Sequence, residues 1–349
     1  SLTQRALEIY QKKAGANSAE TGQAHHQLGE ILRRMNRVNE SIPHLERALH
    51  VFRGAVGDLH ATTLQCMDVL AEALTDAGDH VRAEVVLRER LTVLEKALPP
   101  EHPSLGPALT ALARAAGRLG KPDEAEVLFR RALAIMETTQ GVEHTDTAVC
   151  HQLLAGELRR QRKLADAATH IRCALAIFEK AVGPTHMVCG ACLDDLGDVC
   201  LAMGDRDEAE GAYRRAVSVL DTDDPAGRSR LEDVLRSLAQ LLNRAGRRDE
   251  AVTTFERVVH LHEARSRPDD PLLAFDILQY VQMLVKRTSD HGALVQRAWQ
   301  ILEEARRRRD PRAMFAYLHW AGVCDRVGDV PEAVRNYSVV TELFETSGG

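Results

Sequence analysis

The stretch Arg47-Ala48-Leu49-His50-Val51-Phe52 recurs along the chain at a fixed spacing. Close copies begin at Arg5, Arg131, Cys173 and Arg215, and weaker copies surround Leu91 and Val259. The second position of the pattern repeats every 42 residues without insertion, at 6, 48, 90, 132, 174, 216 and 258. A period of this size indicates a tandem array of one supersecondary unit, in which each copy packs on its neighbours.

Each unit begins with a helix that carries a Leu followed by a small residue. The Leu recurs at Leu28, Leu70, Leu112, Leu154, Leu196 and Leu238, and Gly or Ala follows it every time. A small side chain at a helix contact lets two backbones approach closely. Eight residues after the Leu comes a turn residue that tolerates the left-handed conformation, namely Asn36, Gly78, Gly120, Gly204 or Gly246, with Arg162 in the same register.

A second helix follows the turn in each unit. It carries an Ala, at Ala83, Ala125, Ala167, Ala209 and Ala251, and a large apolar residue four positions later. We expect these large residues, Leu87, Phe129, Ile171, Tyr213 and Phe255, to fill the space that the small residues of the first helix leave open. Apolar residues recur at spacings of three and four in both halves, which predicts two amphipathic helices per unit and an all-α fold.

The bulk composition excludes several classes of protein. The chain has 349 residues, of which 44% are hydrophobic and 4% aromatic, and its net charge of −6 gives no support for nucleic-acid binding. No apolar run is long enough to insert in a membrane, and no signal peptide is visible at the N-terminus. Seven cysteines without framework spacing favour a reducing compartment. We therefore predict a soluble, cytoplasmic protein.

These motifs resemble the tetratricopeptide repeat, and the period of 42 resembles the subclass found in kinesin light chains and nephrocystin-3. Histidines before the first helix strengthen that resemblance, at His60, His102, His144 and His186. It implies a right-handed α-α superhelical solenoid of helical hairpins whose task is protein–protein interaction. The asparagine pair that kinesin light chains carry beside the repeated Leu is absent here, since the matching residues include Asp68, Thr110 and Gln152.

The resemblance predicts how the chain is organised. Residues 2–265 form the regular array, with a half repeat at 2–12 that lacks its first helix and about six full repeats after it. Residues 271–346 form two divergent helical pairs of the same solenoid, because Thr288-Ser289 occupies the turn register but the next turn, Gly328-Asp329, follows 40 residues later. Helices are predicted over 272–287, 293–308, 313–327 and 331–344.

The resemblance also implies that the first helix of each unit lines a concave binding surface. Candidate positions lie two residues either side of the repeated Leu and one turn further on. The second unit is acidic there, whereas the third and fourth offer Arg114, Arg118, Arg159 and Arg160, beside Gln152. The later units offer Asp194, Asp198, Arg236, Gln240 and Asn243. Arginine suits carboxylates, so we expect the basic stretch to bind an acidic peptide segment; the alternative is that these residues are solvated helix faces.

Cysteines and histidines admit two interpretations. Cys189-Gly190-Ala191-Cys192 with His186 could be a metal site. However, Cys66, Cys150 and Cys192 share one repeat position, where other units have Ala24 or Ala108, which indicates small packing residues. The periodic histidines are expected to cap helix starts, and His25 and His151 to be partly buried. We predict no metal and no cofactor.

No nucleotide-binding loop or catalytic motif is present, so we predict a non-catalytic adaptor that holds a segment of a partner protein. The alternative is a sensor or oligomerisation module of a larger signalling protein, such as a nucleotide-binding switch or a protease fusion. Self-association through the ends of the solenoid is a further possibility, because the half repeat at 2–12 leaves an apolar face uncovered.

Overall fold

The computed structural model of the chain describes residues 15–222, 225–284 and 292–347. Within these ranges the backbone forms sixteen helices and no strand, which confirms the predicted all-α class. The chain divides into two compact units, Ser1–Gly183 and Pro184–Gly349. The first contains α1 Ala19–Arg34, α2 Val38–Val56, α3 Ala61–Asp76, α4 His80–Ala97, α5 Leu105–Arg118, α6 Pro122–Thr139, α7 Thr145–Arg160 and α8 Leu164–Val182. The second contains α9 Met187–Met203, α10 Arg206–Leu220, α11 Pro225–Arg244, α12 Arg248–Arg265, α13 Pro271–Leu284, α14 Gly292–Arg307, α15 Ala313–Val327 and α16 Val330–Ser347.

Consecutive helices pack in pairs as hairpins, and neighbouring hairpins stack. In the first unit α1 packs on α2, α3 on α4, α5 on α6 and α7 on α8. The second helix of each hairpin also packs on the first helix of the next, as α2 does on α3 and α4 on α5. Stacking buries the apolar stripe that neither helix could bury alone, which is the arrangement predicted for tandem repeats.

The small residue after the repeated Leu is the point of closest approach inside a hairpin. A Cβ added at Gly29 would lie 2.6 Å from the Leu45 side chain, and one added at Gly197 would lie 2.5 Å from the Tyr213 ring. Tyr213, Phe129 and Phe255 are almost fully buried. The large residues of the second helix therefore fill the space beside the small residues of the first, as the pattern predicted.

The turns have the predicted left-handed residue. φ is 60° at Asn36, 81° at Gly78, 71° at Gly120 and 63° at Arg162. The amide of the next residue donates to the carbonyl five positions back, as in Lys121 N to Ala116 O at 3.0 Å, which ends the helix in a compact motif.

Ion pairs between neighbouring hairpins fix the register of the second helices. Lys121 Nζ lies 2.7 Å from Glu84, and Lys163 Nζ lies 2.6 Å from Glu126 of the preceding hairpin. Where the same register position is Asp79, its carboxylate accepts instead from its own helix at Arg82 N. The charge at this position thus decides whether it links two hairpins or caps one helix.

The divergent C-terminal segment is helical close to the predicted bounds. The predicted 293–308, 313–327 and 331–344 correspond to Gly292–Arg307, Ala313–Val327 and Val330–Ser347. The predicted 272–287 is described as Pro271–Leu284. The turn at Thr288-Ser289 and the half repeat at 2–12 lie outside the described residues. The division into a regular array over 2–265 and a divergent segment over 271–346 stays a prediction.

Candidate functional site

A cleft opens on the face that the first helices of the hairpins form in the first unit. We call this surface, formed by α1, α3, α5 and α7, the helix-A face. The cleft has a volume of about 520 Å³ and lies mainly between α3 and α5. It is lined by Arg33, Asp68, Ala71, Glu72, Thr75, Asp76, Leu87, Arg90, Pro107, Ala111, Arg114, Ala115 and Arg118.

The floor of the cleft is apolar and made of small side chains. Ala71 comes from α3, Ala111 and Ala115 come from α5, and Leu87 of α4 closes the base. Because α5 has alanines where other helices carry larger residues, the space between the two helices is not filled. The rim is charged, so the cleft combines an apolar floor with polar groups that can orient a ligand.

Every acidic residue that lines the cleft is paired with an arginine. Arg33 of α1 reaches across to α3, where its guanidinium lies 2.7 Å from Glu72 and 3.1 Å from Asp76. Arg90 Nε lies 2.8 Å from Asp68 Oδ1. Burial raises the pKa of Asp68, and the positive charge of Arg90 opposes that rise. The acidic side chains that the sequence predicted for the second repeat, on α3, are therefore neutralised by Arg33 and Arg90.

Arg90 is a residue that the sequence reasoning overlooked. It occupies the register of Ala48 and Ala132, both of which are fully buried, and its own side chain is 11% exposed. Its Nη1 is buried without a hydrogen-bond partner. The sequence contains a sign of this role, because Arg90 is a charged residue at a position where other repeats have Ala.

Arg114 and Arg118 lie on the same side of α5 and differ from the other charges of the cleft. They are four residues apart, so their side chains project from one face of the helix. Both are exposed, and neither forms an ion pair or a side-chain hydrogen bond with any residue in the described part of the chain. The structure thus brings these two predicted residues together in the cleft, with their charges uncompensated there.

The other three predicted residues of the first unit lie on α7 and do not line the cleft. Arg160 pairs with the buried Glu157, and its Nη1 donates to the Gly117 carbonyl at 2.9 Å. A Cβ at Gly117 would lie 2.6 Å from both side chains of that pair, so the glycine makes room for it. Arg159 is exposed and Gln152 half-buried, and both make contacts of their own.

The corresponding charges of the second unit are held by ion pairs and hydrogen bonds. Arg230 Nε lies 3.0 Å from Asp194 Oδ2, and the Tyr213 hydroxyl donates to Asp198 at 2.8 Å. Burial raises the pKa of Asp194 to about 6, partly offset by Arg230.

Arg236 is held more firmly still. Its Nε and Nη2 each lie 3.1 Å from an oxygen of Asp276, a carboxylate that is only 1% exposed and also contacts His262 Nδ1 at 2.7 Å. Gln240 donates to Gln279 at 3.4 Å, and Asn243 is exposed. Of the five predicted residues in this unit, four are therefore engaged within it.

Three of the four periodic histidines cap helices, as predicted, whereas the helix after His102 has Ser104 as its N-cap. His60, His144 and His186 are N-cap residues whose Nδ1 accepts a hydrogen bond from the backbone amide two residues on, at 3.2–3.3 Å. His102 Nδ1 accepts from Ser104 N in the same way. An imidazole nitrogen here satisfies one of the free amides of the first helical turn.

The cysteines at the shared repeat position are buried inside hairpins. Cys66 and Cys150 donate to the carbonyls of Leu45 and Phe129, and burial raises the pKa of these thiols to about 12 and about 11. Cys192 is also fully buried. Across the described ranges, no group of three or more His, Cys, Asp or Glu side chains is placed to hold a metal ion. None of the helices described there is long and apolar enough to cross a membrane.

Comparison with known proteins identifies the repeat. A tetratricopeptide repeat model matches residues 20–96, 104–180 and 154–222, and a second tetratricopeptide repeat model matches 234–257. The comparison with curated proteins gave no match.

Several solved structures are similar in fold to this chain. BtubC (BKLC) from P. vanneervenii is 22% identical, with a TM-score of 0.56 over 66% of this chain and 91% of that one. A putative kinesin light chain from P. anserina with nearly identical repeats is 24% identical, with a TM-score of 0.52 over 56% and 93%. The apo quorum sensor NprR from B. thuringiensis is 12% identical, with a TM-score of 0.64 over 93% and 88%.

At these identities the solved structures show the fold alone. The family models together match more than half of the 349 residues. The chain therefore belongs to the tetratricopeptide repeat family, whose fold is a scaffold typical of protein–protein interaction.

Proposed function

We propose that the chain is a non-catalytic adaptor whose helix-A face binds an acidic segment of a partner protein in the cleft between α3 and α5. One observation carries the proposal. The three carboxylates that line the cleft are paired with Arg33 and Arg90, whereas Arg114 and Arg118 have no partner among the described residues. The charge that the cleft offers to a ligand is therefore positive.

The chemistry of the cleft suits a carboxylate-bearing segment. A guanidinium presents donors in a planar fork that matches a carboxylate, and two such groups one helical turn apart can engage two acidic side chains. The apolar floor of Ala71, Ala111 and Ala115 accommodates the aliphatic part of the segment.

Selection from a random peptide library displayed on phage, with the full chain as bait, tests the proposal. Peptides enriched in Asp and Glu are expected from the wild-type chain. The variant Arg114→Glu with Arg118→Glu is expected to lose them. A matched control is Lys96→Glu with Arg162→Glu, which changes the net charge equally at two exposed residues outside the cleft.

The control variant is expected to select the same acidic peptides as the wild type. Equal selection of acidic peptides by the cleft variant, or no acidic enrichment at all, contradicts the proposal. Both variants change only exposed side chains, so their unfolding transitions should match that of the wild type.

A further inference from the structure

Two hairpins of the first unit contain a pair of histidines whose rings meet in the interface between the two helices. His25 of α1 and His44 of α2 place their Nδ1 atoms 3.1 Å apart. His151 of α7 and His170 of α8 place theirs 2.8 Å apart. His25 and His151 are each 7% exposed, and His44 and His170 are half-buried.

Within each pair the two rings face each other through these nitrogens. The ring centroids are 5.3 Å apart in the first pair and 5.0 Å in the second, so the Nδ1 atoms lie between the rings. A contact of this length is a hydrogen bond in which one Nδ1 carries the proton and the other accepts it. The pair thus holds one proton between its nitrogens. When one ring becomes an imidazolium, the neutral ring can still accept from it, whereas protonation of both rings leaves two positively charged donors facing each other.

The two pairs are related by the repeat. His25 and His151 are 126 residues apart, as are His44 and His170, which is three periods of 42. The two hairpins between them have Met67 with Val86 and Leu109 with Leu128 at the same register. Each of these four hairpins thus has either both histidines or neither. The sequence predicted the burial of His25 and His151, but not their pairing with His44 and His170.

Burial and the positive partner both work against protonation. They lower the pKa of His25 to about 4, with Arg47 adding to the effect. Burial also lowers the pKa of His44, where Glu40 opposes it. Burial and the positive partner also lower the pKa of His170 to about 4, and burial lowers that of His151.

The charges around the second pair come from two helices. Glu126, Arg130 and Glu137 belong to α6, and Asp166 belongs to α8. Arg130 lowers the pKa of His170 whereas Asp166 and Glu126 raise it, and Glu137 raises that of His151. For both pairs the burial of the rings outweighs the nearby carboxylates.

We propose that hairpins α1–α2 and α7–α8 are acid-sensitive clasps, which loosen when both rings of the histidine pair become protonated, while hairpins α3–α4 and α5–α6 stay closed. The device belongs to the fold and does not rest on the proposed partner. Its consequence for the helix-A face is that acid loosens α1 and α7, the two helices that flank α3 and α5.

The direction of the pH dependence follows from the lowered pKa values. The closed hairpin binds fewer protons than the open one, whose histidines titrate near 6.5. The closed state is therefore intact above pH 6.5 and is lost progressively as the pH falls from 6.5 towards 4. For each histidine that remains neutral, the opening equilibrium grows about tenfold per pH unit in that window.

Hydrogen–deuterium exchange of the full chain at pH 7.5 and 5.0, expressed as protection factors, tests the device. Protection of α1–α2 and α7–α8 is expected to fall by at least about tenfold between these values relative to α5–α6. The variant His151→Leu with His170→Leu copies the Leu109 and Leu128 register. It should abolish the acid response in α7–α8 and leave that of α1–α2 unchanged, so each hairpin controls for the other.

An equal loss of protection in all four hairpins overturns the proposal, as does an acid response of α7–α8 that survives in the variant. A nitrogen NMR titration of the wild-type histidines gives a second test that needs no variant. His25 and His170 are expected to stay neutral down to about pH 4. Titration of both near 6.5 contradicts the clasp.

Discussion

The first helices of the hairpins follow the same repeat pattern in both units, but their charged side chains differ in whether they are paired. In the first unit Arg114 and Arg118 lie in an open cleft and have no ion-pair partner among the described residues. In the second unit Arg236 is bound to the buried Asp276, and Asp194 is bound to Arg230. A charged residue on a first helix is thus without a partner at Arg114 and Arg118, and is a structural link at Asp194 and Arg236.

The difference has a physical origin in the neighbouring repeat. The side chain of an arginine on one first helix can reach the first helix of a neighbouring hairpin, 36–43 residues away in sequence. It forms an ion pair if that helix has a carboxylate within reach. Asp276 meets Arg236 in this way, and Asp76 meets Arg33. Neither neighbouring first helix presents such a carboxylate to Arg114 or Arg118, because Glu72 and Asp76 are already bound to Arg33 and Glu157 is bound to Arg160. We therefore expect ligand specificity to depend on arginines that have no carboxylate partner on a neighbouring first helix.

The largest effect is expected from removing the buried carboxylate of the second unit. Asp276→Ala removes the carboxylate, only 1% exposed, that both Arg236 and His262 contact, and leaves Arg236 with its exposed partner Asp233 alone. Loss of one member of a buried ion pair costs about 3–5 kcal/mol of unfolding free energy. Urea denaturation of the full chain measures it. Asp233→Ala removes the exposed partner of the same arginine and should cost at most about 1 kcal/mol; equal costs for the two variants would show that the network is not structural.

A glycine at the point of closest approach should behave unlike one on the helix-A face. A methyl group at Gly197 meets the Tyr213 ring at 2.5 Å, so Gly197→Ala is expected to destabilise by about 1–3 kcal/mol. Gly156 has no atom within 4 Å of an added Cβ, and Gly156→Ala should stabilise α7 by up to about 1 kcal/mol. Thermal unfolding of both variants measures the two signs, and a stabilising Gly197→Ala would mean that the hairpin is looser than described.

The period of 42, the hairpins, their turns and the histidine caps could all be predicted from the sequence, because each depends on residues within one repeat. Gly78 and Asn36 fix a turn by their own backbone preference, and His60 caps the helix that it precedes. The availability of charge could not be predicted, because the partners of Arg236 and Arg33 lie in other repeats and depend on side-chain reach. The Arg90–Asp68 and His25–His44 pairs each lie within one hairpin, and they were missed because the repeat pattern does not give which side chains meet between its two helices.

The pKa of Asp194 tests a single ion pair of the second unit, the one with Arg230. Asp194 should titrate near pH 6, because burial outweighs the attraction of Arg230. Removing that attraction in Arg230→Ala should raise the pKa of Asp194 further. The group binds its proton more tightly in the folded state, so its contribution to stability grows as the pH falls below 6. Carbon NMR of the carboxyl group follows the titration; a midpoint that stays the same or falls in the variant contradicts the assignment of Arg230 as its partner.

The smallest effect is expected from the ion pairs that link second helices. Lys163→Ala removes a pair with Glu126 in which the lysine is 46% exposed, and should cost no more than about 1 kcal/mol. Raising the salt concentration should shrink the difference between variant and wild type. A cost as large as that of Asp276→Ala, measured in the same denaturation experiment, would remove the distinction between the two classes of pair.

Charge reversal on both sides of the interface tests most directly whether Arg114 and Arg118 bind an acidic segment. The probe is an acidic peptide selected on the wild-type chain, and its affinity is measured by fluorescence anisotropy. Arg114→Glu with Arg118→Glu is expected to weaken binding by at least about tenfold, and the same peptide with its acidic residues replaced by Lys should bind that variant better than the wild type. Equal affinity of the acidic peptide for wild type and variant, or the absence of rescue by the Lys peptide, would contradict the account.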